Sequence, residues 1–574
     1  MTRNQRCFLL ILAMSAGCFG TLKAATAQVC EPNGSADNQL LWGDLHVHTS
    51  YSLDANVYGT LATPEDAYRF AKGEPLKRSD GSVVRLERPL DFVAITEHAE
   101  WLDFTSLCDS DQASDFEDCN NLLANRSPGS GSKLFGQYVV TSITGETPEP
   151  LDPCSEDPAM CESRALDRWQ NIQKQTNAAY EPCEFTTLHG YEWSHTPDFR
   201  HAHRNIIFRN EAVTERAIDY IHYPTVGELW DALDRMCASE SGCAALTIPH
   251  NTNMGDGISF ETTGVSAKEL SQRARYERLI EITQEKGTSE CLAPYRNRET
   301  AEGDCDFELY LTRQSRPVTV EDYSAEEWRT MRATYARSLV GRGLAFPGEA
   351  APLRMGFIGS TDTHAATPGY VDEHVWSGSV LAGSGFEGAM LRKNWSAGGL
   401  VGVWAKENTR ESIFDALHRR EAYATSGPRI GLRFGADSEK SDSCETHEWR
   451  PIVTMGQVTE FKTPPTFAVQ VQTDTAPIAT VEMVKITRAN GIVEEQVIPI
   501  WVESQASMTH CVSWQDANFD PAVPTLWYPR VRQQATPRWS AVQCAKAGRC
   551  DEFPDVNVDI QERAWGSPIW HLPP

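Results

Sequence analysis

The stretch LLWGDLHVHTS, residues 40–50, decides how this chain is read. An apolar run ends there in His46 and His48, two positions apart. On a strand, residues i and i+2 point to the same side, so both imidazoles aim at one place. The arrangement recurs downstream as Thr96-Glu97-His98, Gly190-Tyr191-Glu192, His201-Ala202-His203, Pro249-His250-Asn251 and Ser360-Thr361-Asp362-Thr363-His364. Almost every one closes a short apolar run, and Asp362 and His364 repeat the two-residue spacing. Imidazole and carboxylate donors together suit Zn²⁺, Mn²⁺ or Fe²⁺ rather than Ca²⁺. Donors gathered at strand ends predict a multi-metal centre, and such a centre predicts a hydrolase.

Outward from those motifs, strand-like and helix-like segments alternate to about Thr425. Strands are expected at Leu41–Thr49, Asp91–Thr96, Phe185–Glu192, Arg204–Phe208, Ala244–Pro249, Leu279–Thr283 and Met355–Ser360. Helices are expected at Pro64–Lys72, Cys161–Ala179, Thr225–Cys237, Ala325–Val340 and Arg410–Arg419, with Thr63 capping the first. Alternation predicts a parallel sheet, and ligands on successive strand ends predict its closure into a barrel. Residues 102–158 and 288–327 are polar, Cys-bearing and rich in turn formers, and read as long inserted loops. Beyond Ile430, alternating runs at Thr466–Gln472 and Thr480–Ile486 and the turn Ala489-Asn490-Gly491-Ile492 predict a small antiparallel β module. The expected organisation is a signal peptide at 1–27, a barrel at 28–429 and the β module at 430–574.

Arg3, Arg6, the apolar Phe8–Gly20 and the small residues Ala25-Thr26-Ala27 are the signs of a secretory signal peptide. Ser15-Ala16-Gly17 is a poor approach to a lipid-anchored Cys18, so no membrane tether is expected after cleavage. Outside this leader 14 of the 16 cysteines remain, an even number that suits disulfides in an oxidising compartment, periplasmic or secreted. Cys108 with Cys119, Cys154 with Cys161, Cys237 with Cys243, Cys291 with Cys305 and Cys544 with Cys550 are close enough to close small loops. A net charge of −27 and no basic, aromatic-laced patch argue against nucleic acid and leave a small-molecule substrate.

GDLHVHTSYSLDA, AITEH, GYEWS, HAHRN, IPHN and GSTDTH resemble the ordered motifs of the polymerase-and-histidinol-phosphatase (PHP) metallohydrolase superfamily. More narrowly, with ESIFDALHRREAYATSGPRI and ERAWGSPIW, the chain resembles the bacterial domain-of-unknown-function family numbered 3604 and carbaryl-hydrolase-like PHP proteins. The resemblance implies an α/β fold, a distorted (β/α)7 barrel holding two or three divalent transition metals at its strand C-termini. It implies His46, His48 and Asp362 around a first metal, with Glu192 bridging; Asp54, His98 and His364 around a second; Glu192, His203 and His250 around a third. Asp54 and Glu97 depart from the usual pattern, which has His at the first and Asp at the second.

His201 shares a strand face with His203; His203 is preferred because Arg204-Asn205 follow as a strand begins. Glu97, Glu281 and His201 are candidates for a supporting layer around a metal-activated water. His189 and His195 flank Glu192, and Arg410, Arg420 and Arg429 could reach an anionic group on a substrate, although helix surface charge is the commoner fate of such residues. Such a centre serves phosphate ester hydrolysis, the favoured reading, and equally carboxylic ester, carbamate or amide hydrolysis. A non-catalytic metal-binding scaffold is the third reading.

Overall fold

The computed structural model describes residue 30 and residues 38–145, 147–295, 305–313, 316–348, 351–382, 385–437, 443–446, 449 and 451–574. The expected signal peptide and Cys18 lie outside the described residues. Among the described residues no helix is long and apolar enough to cross a membrane.

The strand that leads into the histidine pair, Gln39–Asp44, lies inside the largest sheet. It runs parallel to Phe92–Ala94, which runs parallel to Thr186–Leu188. On its other edge it pairs antiparallel with Leu400–Ala405, Gln39 opposite Ala405 and Gly43 opposite Val401. Phe92–Ala94 and Thr186–Leu188 are buried throughout, as parallel strands covered on both faces must be. Two further ladders stand beside this sheet. One is Gly190–Trp193, Arg204–Phe208 and Ala245–Pro249; the other is Leu279–Gln284 with Gly356–Gly359.

The fold is therefore mixed α/β, but the wholly parallel sheet expected from the alternation is not what forms. Arg204–Phe208 is antiparallel to both its neighbours. Only residues 194–203 separate it from Gly190–Trp193, too few for the crossover that a parallel return requires. The described strands fall into separate hydrogen-bonded ladders rather than one closed barrel. Single parallel bridges, Val47 to Thr363 and His98 to Glu192, link them at the end where the site residues lie.

Residues 102–158 are not the polar loop expected. They form helices Leu102–Cys108 and Glu117–Asn125, joined by the Cys108–Cys119 disulfide. Trp101, Phe104 and Cys108 recur at helical spacing, and with Leu107, Leu122 and Tyr138 they build a core against Trp169. The described residues of 288–327 are largely irregular around Leu292, Leu311, Val320 and Tyr323. The helix expected over Ala325–Val340 is two, Ala325–Arg332 and Ala336–Gly343, because Tyr335 turns to extended backbone and buries its ring. Pro64–Ala71 does carry its cap: Thr63 and Asp66 form a reciprocal capping box.

Past Ala422–Thr425 the large sheet continues through Arg563–Gly566, Thr525–Gln533, Ile478–Ala489 and Ile492–Val502. The last two strands meet at Asn490 and Gly491, both at positive φ, as a two-residue hairpin turn requires. Gly431–Asp437, Thr466–Gln472 and Thr509–Gln515 form a second antiparallel sheet. All five short-range cysteine pairs are disulfides, and Cys30–Cys183 and Cys444–Cys511 complete seven.

Candidate metal centre

Close packing positions the first strand. A Cβ on Gly43 would stand 2.3 Å from the Phe92 ring, so only glycine lets the two strands meet here. Asp44 is not a member of the cluster. It accepts the Thr361 hydroxyl at 2.6 Å and the Gly369 N–H at 2.9 Å, which ties the loop carrying Asp362 and His364 to the first strand. Asp362 itself sits at φ 54°, a left-handed position that Asp tolerates better than most residues.

Glu192 is the hub. Its Oε2 lies 3.1 Å from His46 Nε2 and 3.2 Å from His48 Nε2. Its Oε1 lies 2.6 Å from His203 Nδ1 and 3.1 Å from His250 Nε2. Asp362 Oδ1 is 3.2 Å from both His46 Nε2 and His48 Nε2. Beside this group, Asp54 Oδ2 is 3.0 Å from His98 Nε2 and 2.8 Å from His364 Nε2. The His48 ring is stacked between those of His98 and His364, with centroids 4.4 and 4.3 Å away. All nine side chains named from the sequence as metal ligands are thus brought together and buried.

Around them is a layer of orienting partners. Both oxygens of Glu281 lie 3.1 Å from His46 Nδ1. Glu97 reaches the centre through Ser52, whose hydroxyl is 2.5 Å from Glu97 Oε2 and 2.9 Å from His48 Nδ1. Ser194 holds His98 Nδ1 at 2.6 Å and Thr196 holds His203 Nε2 at 2.7 Å. His201 stands 4.8 Å from His203, ring to ring, and its buried Nδ1 has no partner. The turn Gln284-Glu285-Lys286 went unread in the sequence, although Gly287 behind it is a turn signal. Lys286 Nζ and Gln284 Nε2 both contact Asp362 Oδ2, and Glu285 Oε1 is 3.3 Å from His364 Nδ1.

Other candidates lie elsewhere. His189 bonds Asn177 at 3.0 Å, and His195 lies against Tyr220. Burial pushes both imidazoles down to about 3. Arg410, Arg420 and Arg429 spend hydrogen bonds on the carbonyls of Thr187, Gly456 and Pro89. Asp103 lies near Cys154 and Cys161, but those cysteines are bonded to each other and offer no thiolate.

The donors fit divalent cations. His48 Nε2 and His250 Nδ1 are buried without a hydrogen-bond partner. Imidazole nitrogens and carboxylate oxygens face one another within 4.8 Å in overlapping sets: His48, Asp54, His98 and His364; His46, His48 and Glu192; Glu192, His203 and His250. Positive charge is demanded there. Burial opposes charge on His98 and His364, but the carboxylates around them, Asp54 foremost, together outweigh it and raise them to about 9 and about 10. Burial likewise opposes charge on Asp54 and Glu192, and the surrounding imidazoles hold both well below the carboxylate range. His203, where burial prevails, is pushed down to about 4 and is a neutral donor at neutral pH.

The family model described as "Protein of unknown function (DUF3604)" matches residues 35–510 and 501–573. An uncharacterized protein of Chlamydia pneumoniae is 24% identical over 280 residues, 48% of this chain and 34% of that protein. The chain thus spans about a third of the length of that relative. A crystal structure of a two-domain protein from Bacteroides vulgatus, containing a predicted PHP-like metal-dependent phosphoesterase, aligns over 88% of this chain and 94% of its own at 12% identity. The TM-score of that alignment is 0.27.

Proposed function

The chain belongs to the DUF3604 family, a family of unknown function, and on that premise we propose that it is an exported, metal-dependent hydrolase of phosphate esters. The observation that carries the reading is Glu192, whose two oxygens each lie near two imidazoles, so that one carboxylate would serve two sets of donors. His46, His48 and Asp362 would hold one ion with Glu192, Asp54, His98 and His364 a second, and Glu192, His203 and His250 a third. Zn²⁺, Mn²⁺ and Fe²⁺ are the ions that suit such donors. Bound there, they would supply Lewis acidity, neutralising charge on a phosphoryl group and easing the deprotonation of water.

The chain's own residues do the positioning. Glu281 fixes the His46 ring so that Nε2 faces Glu192, and Ser52, itself held by Glu97, does the same for His48. Lys286, ion-paired with Asp362, holds that carboxylate at the edge of the cluster. In the same reading the bridged ladders are a distorted seven-stranded PHP-type barrel and residues 430–574 its β module. Seven disulfides support an oxidising destination, periplasmic or secreted.

The test pairs metal content per chain with turnover of a chromogenic phosphate monoester and of an aryl carboxylic or carbamate ester. Two or three transition metals with phosphate turnover is the expected result. The same metals with carbon ester turnover alone would replace phosphorus by carbon. A metal-loaded protein inert toward both would leave a binding scaffold, and no metal after reconstitution would overturn the reading.

A further inference from the structure

A cavity of about 520 Å³ is lined in part by Tyr370 and Glu373 from the loop that follows His364, by Gln533, and by Glu562 just ahead of Arg563–Gly566. Glu373 and Glu562 are 7% and 2% exposed. Each has one oxygen engaged: Glu373 Oε2 accepts the Trp539 N–H and Glu562 Oε2 accepts the Ser426 hydroxyl. The other oxygen, Oε1 in both, has no hydrogen-bond partner. Glu308 supplies a third carboxylate, its side chain 1% exposed, with Oε1 2.9 Å from Arg538 Nη2 and Oε2 without a hydrogen-bond partner. Arg538 directly precedes Trp539, so Glu308 and Glu373 meet at adjacent residues.

Buried carboxylate oxygens without partners are costly, and natural folds rarely leave several together. Glu308 is ion-paired to Arg538, and Arg85, Arg88 and Arg429 also line the cavity. Burial and then Glu308 push Glu373 up to about 8. Burial, and then Glu373 and Glu308, push Glu562 well above its usual range. The unpartnered atoms of the three glutamates are carboxylate oxygens, without imidazole or thiolate beside them, which is the ligand chemistry of a hard cation. The cavity gives access and room for the water ligands that complete a shell of six to eight oxygens around Ca²⁺.

We propose that Glu308, Glu373 and Glu562 form a second, oxygen-only site that binds a hard divalent cation, Ca²⁺ in preference to Mg²⁺. The ion fastens three distant parts of the chain, among them the loop continuous with His364. The site is independent of the histidine cluster and of the reaction proposed for it.

Full-length protein with its histidine-cluster metals in place is titrated calorimetrically with CaCl₂ at pH 8 and melted with and without it. We expect one Ca²⁺ per chain and a higher melting temperature, as binding to the folded state alone requires. Glu373→Gln and Glu562→Gln should each bind Ca²⁺ at least tenfold more weakly with unchanged transition-metal content, while His48→Ala keeps wild-type Ca²⁺ affinity. If one glutamine variant fails to fold, the other and the His48→Ala control decide. No heat and no stabilisation with Ca²⁺ or Mg²⁺ would overturn the proposal. So would binding that survives both glutamine changes, or binding lost with His48→Ala.

Discussion

Glu281 presents both carboxylate oxygens to Nδ1 of His46 at 3.1 Å, and so decides which nitrogen of that ring faces Glu192 and Asp362. Outer partners of this kind typically account for about 10–100-fold in metal affinity. Glu281→Gln should therefore weaken metal binding by that factor while the protein stays folded. Competition against a chelator of known affinity measures it; an unchanged affinity would separate Glu281 from the site.

Glu192 and Asp54 should behave differently. Glu192 serves the His46–His48 pair and the His203–His250 pair, whereas Asp54 serves only His98 and His364. Glu192→Ala should strip metal from both pairs, with affinity falling more than about 100-fold, beyond the range of outer partners. Asp54→Asn should lower the content by about one ion and leave the rest. Equal losses in the two variants, read by elemental analysis, would show that the groupings are wrong.

Metal-free protein should lose stability as the solution becomes alkaline. His98 and His364 titrate at about 9 and about 10 in the fold, against 6.5 unfolded. A raised folded pKa means their contribution is complete below about 6.5 and is lost as pH rises through 9 to 10. Divalent ions replace those protons, so loading should flatten the decline. Melting temperatures of chelated and loaded protein across pH 6–10 check this; parallel curves would contradict it.

Cys30–Cys183 closes a loop of 153 residues and places Cys183 beside Asn408 through a backbone hydrogen bond. Replacing both cysteines by serine should cost about 2–5 kcal/mol in urea unfolding. Metal content should be unchanged, because neither residue approaches the cluster. Loss of metal in the folded double variant would mean that this tie shapes the centre.

The parts of the site legible in the sequence are those written as short-range spacing. His46 with His48, and Asp362 with His364, declare a shared direction within three residues. Asp54, in the short helix Leu53–Val57, could be carried over only by resemblance, because nothing local says that this helix turns it inward. Lys286 and Glu285 were missed because their role depends on a turn closing over Asp362, a contact 76 residues away. The strand directions failed at Arg204–Phe208 because alternation says where strands are, and connection length says how they run. Residues 102–158 were misread as loop because their apolar residues are diluted by Asp, Asn and Ser on the exposed helix faces.

The pairing of Gln39–Asp44 with Leu400–Ala405 also sets a timetable. About 70% of the 574 residues are made before the strand leading to the first two histidines can meet that neighbour, and Asp362 and His364 come only shortly before it. No nascent fragment that ends before His364 holds a complete set of donors. The complete centre therefore forms only late in synthesis or after it, and the metal supply of the compartment in which the chain folds determines which ion the centre receives.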